Sequence, residues 1–350
     1  MGKKVTIQDI ADALGISRNT VSKAINNSDG LADATREKIL QKAIEMGYKQ
    51  FSYVSALVNS GRAVEETLNS KPGFLGEIAL FTAAFLPNSH FAALMLDGFQ
   101  REISQLGYTL NTHRVTQENL AAHTLPYTFS KERTSAILCI EMFDLAYDEM
   151  VCALGLPVLF VDAPPYRTGS VLPADHLYME NYSGILQLVN EMLAKGIRRI
   201  GFIGDWDHCQ SFFERYMAFR RAMLLSGVPV EDRWCIKETF EKGMTDTLGA
   251  LTELPELFVC ANDFVACDAM RVLRAHGWRI PEDVLISGFD DAPESRRSDP
   301  PLTTVHIHTQ AMAFSAVHLL MSRIDQPSLD YRTIYTESEL IRRASTDPQA

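Results

Sequence analysis

From Gly76 onward, short apolar runs alternate with amphipathic helical stretches, and this alternation limits the possible folds most. The apolar runs read GEIALF, YTLNTH, SAILCI, PVLFVD, RRIGFIG, ELFVCA, DVLISGFD, TTVHI and IYTESELI. Strands that alternate with helices at this spacing form parallel sheets with right-handed crossovers. Because about ten strands are more than one open sheet usually holds, the sequence predicts that they are divided between two lobes.

The N-terminal stretch VTIQDIADALGISRNTVSKAIN has a different pattern, that of two short helices joined by a tight turn. The first is predicted over residues 7–14, with Thr6 as its N-cap. Gly15 suits the turn because it adopts positive φ without a Cβ penalty. Ser17 can cap the second helix, over residues 18–25. The stretch is therefore predicted to form a helix-turn-helix.

The second of these helices begins with side chains that can read DNA. Arg18 and Lys23 can hydrogen-bond guanine, and Asn19 can bond adenine bidentately. A third helix is predicted over residues 33–46, which gives three helices and a small core. The pattern predicts an all-α head that binds DNA through its second helix.

Length and charge fit a small DNA-contacting head on a larger acidic body. The chain has 350 residues and a net charge of −11, which argues against a protein coated in basic residues. Residues 1–60 carry eight Lys or Arg and six Asp or Glu, a charge of +2, which leaves −13 for the rest. An acidic body opposes non-specific adhesion to nucleic acid. With no long apolar run and no CxxC pair, we expect a cytoplasmic protein with reduced cysteines and no membrane span.

Motifs for catalysis or metal binding are not found in the sequence. It lacks a P-loop, a G-x-S-x-G elbow and an HExxH motif. The adjacent carboxylates Asp290 and Asp291 could form an acid–base pair, but such pairs more often bind ligand hydroxyls or cap helices. His306 and His308 alternate on one strand, which is too few ligands for a metal. We therefore predict no enzyme activity, no metal and no cofactor.

The chain closely resembles the LacI/GalR family of bacterial transcription regulators over nearly its whole length. The resemblance rests on the helix-turn-helix stretch and on TREKILQKAIEMGY, ANDFVACDAMRVLRAHGWRIPEDVLISGFDD, PPLTT and ELIRRAST. Because several specific motifs occur in the family's order, the resemblance is stronger than a helix-turn-helix alone would make it. It implies a repressor that binds palindromic operator DNA as a homodimer and responds to a small-molecule effector.

The resemblance implies roles for residues of the head. Arg18, Asn19 and Lys23 match the base-reading positions. The positions that contact phosphates are matched by Thr6, Ser17, Thr20, Asn26 and Thr35. Thr6 and Ser17 could instead act only as caps, and Thr35 could be an ordinary solvated residue.

The resemblance also implies a hinge helix that forms on operator DNA and inserts a leucine into the minor groove. Leu57, within residues 52–58, occupies the matching position. The hinge departs from the family pattern, because Gln50 replaces a common proline, Phe51 an asparagine and Val54 an alanine. Leu57 is therefore either the minor-groove wedge or a leucine that packs in the dimer.

For the body, the resemblance implies the α/β periplasmic-binding-protein fold, two doubly wound parallel sheets joined by three crossovers. These are expected near residues 163–172, 290–297 and 324–328. The implied organisation is a helix-turn-helix domain at 1–48, a hinge helix and linker at 49–72, an N-terminal effector subdomain at 73–162 plus 295–324, and a C-terminal effector subdomain at 163–294 plus 325–346.

Effectors of such sheets bind beyond the C-terminal ends of the strands. The effector-binding residues predicted there are Phe81, His90, Phe91, Asp162, Trp206, Arg215, Asn262, Asp263 and Asp290. Arg215 begins an Arg-x-x-Ala-Phe stretch that matches the family's effector arginine. Asp263 could instead cap the helix that follows it, and Phe91 could belong to the core.

Carboxylates, an amide and one guanidinium suit vicinal hydroxyls, so a sugar or sugar derivative is the predicted effector. Three other functions stay open at this stage. The chain could be a sugar-binding module whose head has lost DNA binding, a cleft enzyme such as a nucleosidase, or an activator. No heptad-rich tail follows ELIRRAST, so a coiled-coil tetramer is not expected.

Overall fold

The computed structural model describes residues 5–25, 31–32, 35–36, 38–39, 42–43, 46, 73–83, 90–165, 171–239 and 241–347. It divides into two compact units, residues 1–74 and 75–350. The predicted hinge and its Leu57 lie outside the described residues, as does Asn26. Within the described ranges, no helix is long and apolar enough to cross a membrane.

The first unit contains the two predicted N-terminal helices, α1 (Ile7–Leu14) and α2 (Arg18–Ile25). Thr6 and Asp9 form a reciprocal capping box at the start of α1, and Gly15 ends it with φ of 64°. Residues 35–36, 38–39 and 42–43 are helical. The small core is apolar throughout, as predicted, and its buried side chains are Ile10, Ala11, Val21, Ala24, Ile39 and Ala43.

The second unit alternates strands and helices as its sequence predicts. Its strands are β1 (Gly76–Thr82), β2 (Tyr108–Arg114), β3 (Thr134–Ile140), β4 (Val158–Val161), β5 (Asp175–Met179), β6 (Ile200–Ile203), β7 (Cys235–Ile236), β8 (Leu257–Cys260), β9 (Leu285–Ser287), β10 (Thr304–Ile307), β11 (Thr333–Thr336) and β12 (Ser338–Ile341). Its helices are α3 (His90–Gln105), α4 (Gln117–Ala122), α5 (Leu145–Cys152), α6 (Ser183–Ala194), α7 (Gln210–Leu225), α8 (Glu241–Gly249), α9 (Asp263–Ala275), α10 (Pro293–Arg297) and α11 (Thr309–Asp325).

These strands form two parallel sheets, which confirms the predicted two-lobed architecture. The first lobe has a six-stranded sheet in the order β11-β5-β4-β3-β1-β2. The second lobe has a four-stranded sheet in the order β7-β6-β8-β9. An antiparallel pair, β10 and β12, continues the second sheet through bridges from Ser287 to Thr303 and from Asp290 to His306. Both sheets are covered on two faces, which is why their central strands are nearly continuously apolar, whereas β2 and β11 at the edges of the first sheet are partly exposed.

The structure corrects where the chain passes between the lobes. Strand β5 pairs with β4 and β11 inside the first sheet, so the first crossing follows Met179 and the predicted crossover near 163–172 is wrong. Strand β11 belongs to the first sheet and β12 to the second-lobe pair, so the third crossing is at residue 337, not near 324–328.

The second crossing also differs from the prediction near 290–297. Strand β10 remains beside the second sheet, whereas the following helix α11 packs on α3 of the first lobe. The chain therefore crosses at about residue 308, and residues 295–307 belong to the second lobe rather than the first. The predicted single terminal strand IYTESELI is two strands, one in each lobe.

Candidate functional site

The recognition helix of the head exposes the three predicted base-reading side chains. Arg18, Asn19 and Lys23 are exposed on α2, while Val21 and Ala24 of the same helix are buried in the head's core. The helical period thus separates a packing face from a polar face that is free to meet DNA. The base-reading role of these three side chains stays a prediction.

Three residues predicted to contact phosphates also organise the helix ends. The Thr6 hydroxyl donates to Asp9 Oδ2 at 2.6 Å and accepts from the Asp9 amide at 3.2 Å. The Thr20 amide donates to Ser17 Oγ at 3.1 Å, and the Ser17 and Thr20 hydroxyls are 2.7 Å apart. Thr6 and Ser17 are therefore caps in this structure, and exposed Thr35 remains available to a phosphate.

The candidate effector site lies where strand ends of the two lobes meet. Glu141 follows β3, Asp162 follows β4 and Asp290 follows β9. Each has positive φ, at 57°, 62° and 111° respectively. A non-glycine residue held in this region costs about 1–3 kcal/mol and is found most often at ligand and active sites. The strand-end rule therefore brings carboxylates from both lobes together.

Arg215 is the buried cation of this site. Its Nε donates to Asn181 Oδ1 at 2.9 Å and its Nη1 donates to the Ala261 carbonyl oxygen at 2.8 Å. Its Nη1 lies 3.6 Å from Asp290 Oδ1, and its guanidinium carbon lies 3.6 Å above the centre of the Phe289 ring. The structure thus brings together Arg215 and Asp290, which the sequence predicted to share a site.

The carboxyl group of Asp290 can exchange a proton near neutral pH. Burial raises its pKa to about 7; the Arg215 guanidinium opposes this rise, and the Glu141 and Asp162 carboxylates add to it. A group that titrates here can either accept or donate a hydrogen bond to a ligand hydroxyl. Perturbed carboxyl groups in a cleft mark candidate binding sites.

Asp162 faces the start of a second-lobe helix. Its Oδ1 accepts from the Ala163 amide at 2.9 Å and from the Ser211 amide at 3.2 Å. Burial raises the pKa of Asp162, and hydrogen bonds from the Cys209 side chain, the Ala163 amide and the Ser211 side chain oppose the rise. The predicted effector role of Asp162 would require its carboxylate to serve a ligand and this helix end together.

Asp263 has neither of the two roles predicted for it, effector binding or helix capping. Asn262 caps α9 by accepting from the Val265 amide at 2.9 Å, so the cap is Asn262 and not Asp263. The fully buried Asp263 carboxylate accepts from the Thr304 hydroxyl at 2.6 Å and from the Ala292 amide at 2.8 Å. Asp263 thereby ties α9 to the chain on either side of α10, facing protein groups rather than the cleft.

The structure contradicts one residue of the predicted aromatic wall and leaves the other three as predictions. Phe81 is fully buried and packs edge-to-face on Phe129 and His113, so its prediction as a ligand-binding residue is wrong. Its strand faces helices on both sides, and Phe81 points into the core. Half-buried Trp206 stacks on Tyr216 with ring centres 4.5 Å apart. Half-buried Phe91 packs against the core at the start of α3, and the His90 side chain lies outside the described structure.

Several residues of the site were not predicted from the sequence. They are Glu141, Asn181, Glu214, Phe289 and Tyr335. Glu214 precedes Arg215 and Phe289 precedes Asp290 in the sequence. These two residues could have been found by considering the immediate neighbours of the predicted site residues. Asn181 and Tyr335 could not be found that way, because both flank crossings that the sequence misplaced. Among the described residues, no group of three or more His, Cys, Asp or Glu side chains is arranged to hold a metal.

Comparison with known families matches both units. Residues 6–50 match the model of the bacterial regulatory proteins of the lacI family, and residues 189–346 match the periplasmic binding protein-like domain. The chain is 28% identical to the transcriptional repressor PurR of Haemophilus influenzae, over 97% of this chain and 98% of the relative. It is 27% identical to the transcriptional regulator GalR of Lacticaseibacillus casei, over 97% and 99% of the two chains.

Solved structures support the fold over the same length. A transcriptional regulator CelR–cellobiose complex has a TM-score of 0.67 and 22% identity, covering 98% of this chain and all (100%) of that one. The lac repressor dimer bound to operator and an anti-inducer has a TM-score of 0.63 and 20% identity, covering 98% and 99%. The architecture of head and two-lobed body is thus shared with regulators of known structure.

Proposed function

The chain belongs to the LacI family of bacterial regulatory proteins, and we propose that it is a repressor whose operator affinity depends on a sugar-like effector. The observation that carries this proposal is the buried Arg215–Asp290 pair at the strand ends of the second lobe, facing carboxylates of the first. A guanidinium and carboxyl groups together can donate to and accept from vicinal hydroxyls. The exposed polar face of α2 supplies the DNA-binding end.

The partners follow from the same family membership. The proposed operator is a palindrome, because a twofold homodimer presents its recognition helices to two related half-sites. The effector and the operator bind at separate sites, so their effects on each other must be reciprocal. Titrating effector with and without operator should therefore give the same coupling free energy as titrating operator with and without effector.

A screen of ligands by thermal shift tests the effector class. Full-length protein is heated with monosaccharides, disaccharides, sugar phosphates and nucleosides. A ligand at about 100 times its Kd adds about 2.7 kcal/mol to the free energy of unfolding, so one sugar class should raise the melting temperature by a few degrees. Stabilisation by nucleosides alone, with none by sugars, would contradict the sugar proposal.

We also propose that the cleft binds its ligand without turning it over. The Asp162 carboxyl group there is engaged with protein donors, because its Oδ1 accepts from the Ala163 and Ser211 amides. Each compound that stabilises the protein is therefore incubated with it and followed by chromatography. Release of a sugar or base at a rate above that of the Arg215→Met variant would instead support the cleft enzyme.

Arg18→Ala is expected to weaken operator binding by about tenfold or more, because a bidentate contact to guanine contributes about 1–3 kcal/mol. The operator is first selected from a random duplex library by repeated binding and sequencing. Affinities are then measured by fluorescence anisotropy at several salt concentrations. The matched control is Arg133→Ala, an exposed arginine of the body. Equal affinities of the two variants would favour a sugar-binding module whose head has lost DNA binding.

A further inference from the structure

The first turn of α7 is attached to the opposite lobe. Its helix belongs to the second lobe, yet the Gln210 amide donates to the Ala163 carbonyl oxygen at 2.8 Å and the Ser211 amide donates to Asp162 Oδ1 at 3.2 Å. The first N–H groups of a helix have no acceptor within the helix. Here their acceptors lie beyond β4, so the helix start is satisfied only while the lobes are together.

Glu214, one turn further along α7, contacts residues beside two of the three crossings. Its carboxylate is buried and accepts from three donors. The Tyr335 hydroxyl donates to Oε1 at 2.8 Å, the Asn181 amide group to Oε2 at 2.8 Å, and Gln210 Nε2 to Oε1 at 3.1 Å. Tyr335 lies in β11 of the first sheet, just before the third crossing, and Asn181 lies at the first crossing.

The adjacent Arg215 connects this group to the candidate effector site. Asn181 lies between the two α7 residues, because its Nδ2 donates to Glu214 and its Oδ1 accepts from Arg215 Nε. These opposite roles fix which way the amide points. Arg215 then reaches Asp290, which follows β9 on the way to the second crossing. One turn of α7 is therefore bonded to segments beside the first and third crossings and, through Arg215, to the strand end that follows β9.

We propose that Glu214 is a positioning residue, which latches the two lobes through Tyr335 and Asn181 and aims Arg215 at the cleft. A carboxylate that accepts from both a first-lobe strand and a crossing residue resists relative movement of the lobes. A ligand that displaces Arg215 from Asp290 also pulls on Asn181 and hence on Glu214. The consequence for operator affinity rests on the proposed function, whereas the latch itself does not.

Hydrogen exchange followed by mass spectrometry tests the latch in the full-length protein without any ligand. The amides of Gln210 and Ser211 report lobe separation, because their acceptors are across the cleft. Tyr335→Phe removes only the bridging hydroxyl, and Glu214→Gln keeps the shape but not the charge. We expect exchange in this turn to become about fivefold faster in Tyr335→Phe, as the loss of one hydrogen bond predicts, and at least as fast in Glu214→Gln.

Controls separate a latch from a loss of stability. Tyr127→Phe changes a fully exposed tyrosine of the first lobe and should leave exchange unchanged. Exchange in the central strand β6 should be the same in all variants, and the double variant should exchange no faster than Glu214→Gln alone. Unchanged exchange at Gln210 and Ser211, or a rise that β6 shows equally, would overturn the latch.

Operator affinity is the readout that a merely structural role would not change. On the selected operator duplex without sugar, Glu214→Gln and Tyr335→Phe should shift affinity in the same direction, by about fivefold, relative to Tyr127→Phe. Affinities equal to that control would overturn the regulatory part. Because this measurement uses no sugar, a failed effector screen would not change what the operator affinities say about the latch.

Discussion

Asp148→Asn is expected to raise the free energy of unfolding by roughly 4 kcal/mol at pH 7 and to change it little near pH 4. Asp148 is fully buried in α5, and of the described residues none hydrogen-bonds either of its carboxylate oxygens. Burial raises its pKa to about 8, and the nearby Asp144 carboxylate adds to the rise. The folded protein therefore holds a neutral acid at neutral pH, whereas the unfolded chain ionises it.

The sign of the pH dependence follows from this difference in protonation. Between the ordinary pKa of 3.8 and the folded value of about 8, the folded state binds more protons than the unfolded state. Each rise in pH across this window therefore removes stability from the wild-type protein, and above it the loss is complete. Asparagine has no proton to lose, so the variant's advantage grows from pH 4 to pH 8.

The measurement is urea unfolding of both proteins at intervals from pH 4.5 to pH 8.5. Other carboxyl groups with raised pKa, such as Asp162 and Asp290, also contribute to the pH dependence but cancel in the difference between the two proteins. Glu149→Gln, at the exposed neighbour in α5, is the control, and its difference curve measures the effect of removing one exposed carboxylate from the same helix. If the curve for Asp148→Asn were as flat as that of an exposed carboxylate, the buried carboxyl group of Asp148 would not cause the expected loss of stability with rising pH.

The first two helices of the head could be predicted to the residue because their signals are local. The Thr6 and Ser17 caps, the left-handed Gly15 and the helical period all lie within a few residues of the helices that they delimit. Each of these features acts through hydrogen bonds or sterics over one turn of chain. The exposed triplet of Arg18, Asn19 and Lys23 follows directly from that period.

The two-lobed architecture of the body was predicted, whereas the positions of the crossings and several side-chain environments were not. These errors have a common cause. That β5 lies between β4 and β11 depends on residues more than 150 positions apart, which no local pattern encodes. Arg215 and Asp290 could still be paired, because the strand-end rule does not depend on strand order. The face that Phe81 occupies, the burial of Asp148 and the contacts of Glu214 depend on tertiary packing and could not be predicted.

Arg215→Met is expected to lower the free energy of unfolding by about 3 kcal/mol or more at pH 7, and to abolish the thermal shift by sugars. The substitution keeps a long side chain but removes the donors to Asn181 and Ala261. It also leaves Asp290 buried beside the carboxylates of Glu141 and Asp162 without a cation. Arg220→Met, five residues along α7 at an ion pair that is largely exposed to solvent, should cost less than about 1 kcal/mol.

The pH dependence of this loss identifies its cause. Arg215 opposes the rise in the pKa of Asp290, so without it the folded carboxyl group should hold its proton to higher pH. The cost of Arg215→Met should therefore be smallest at pH 5, where Asp290 is protonated in either protein, and largest near pH 8. Adding Asp290→Asn to Arg215→Met should recover part of the stability at pH 8 but little at pH 5. A pH-independent loss with no recovery would instead assign the cost to the missing hydrogen bonds of Arg215, and the Arg215–Asp290 pair would no longer support a ligand site organised by charge.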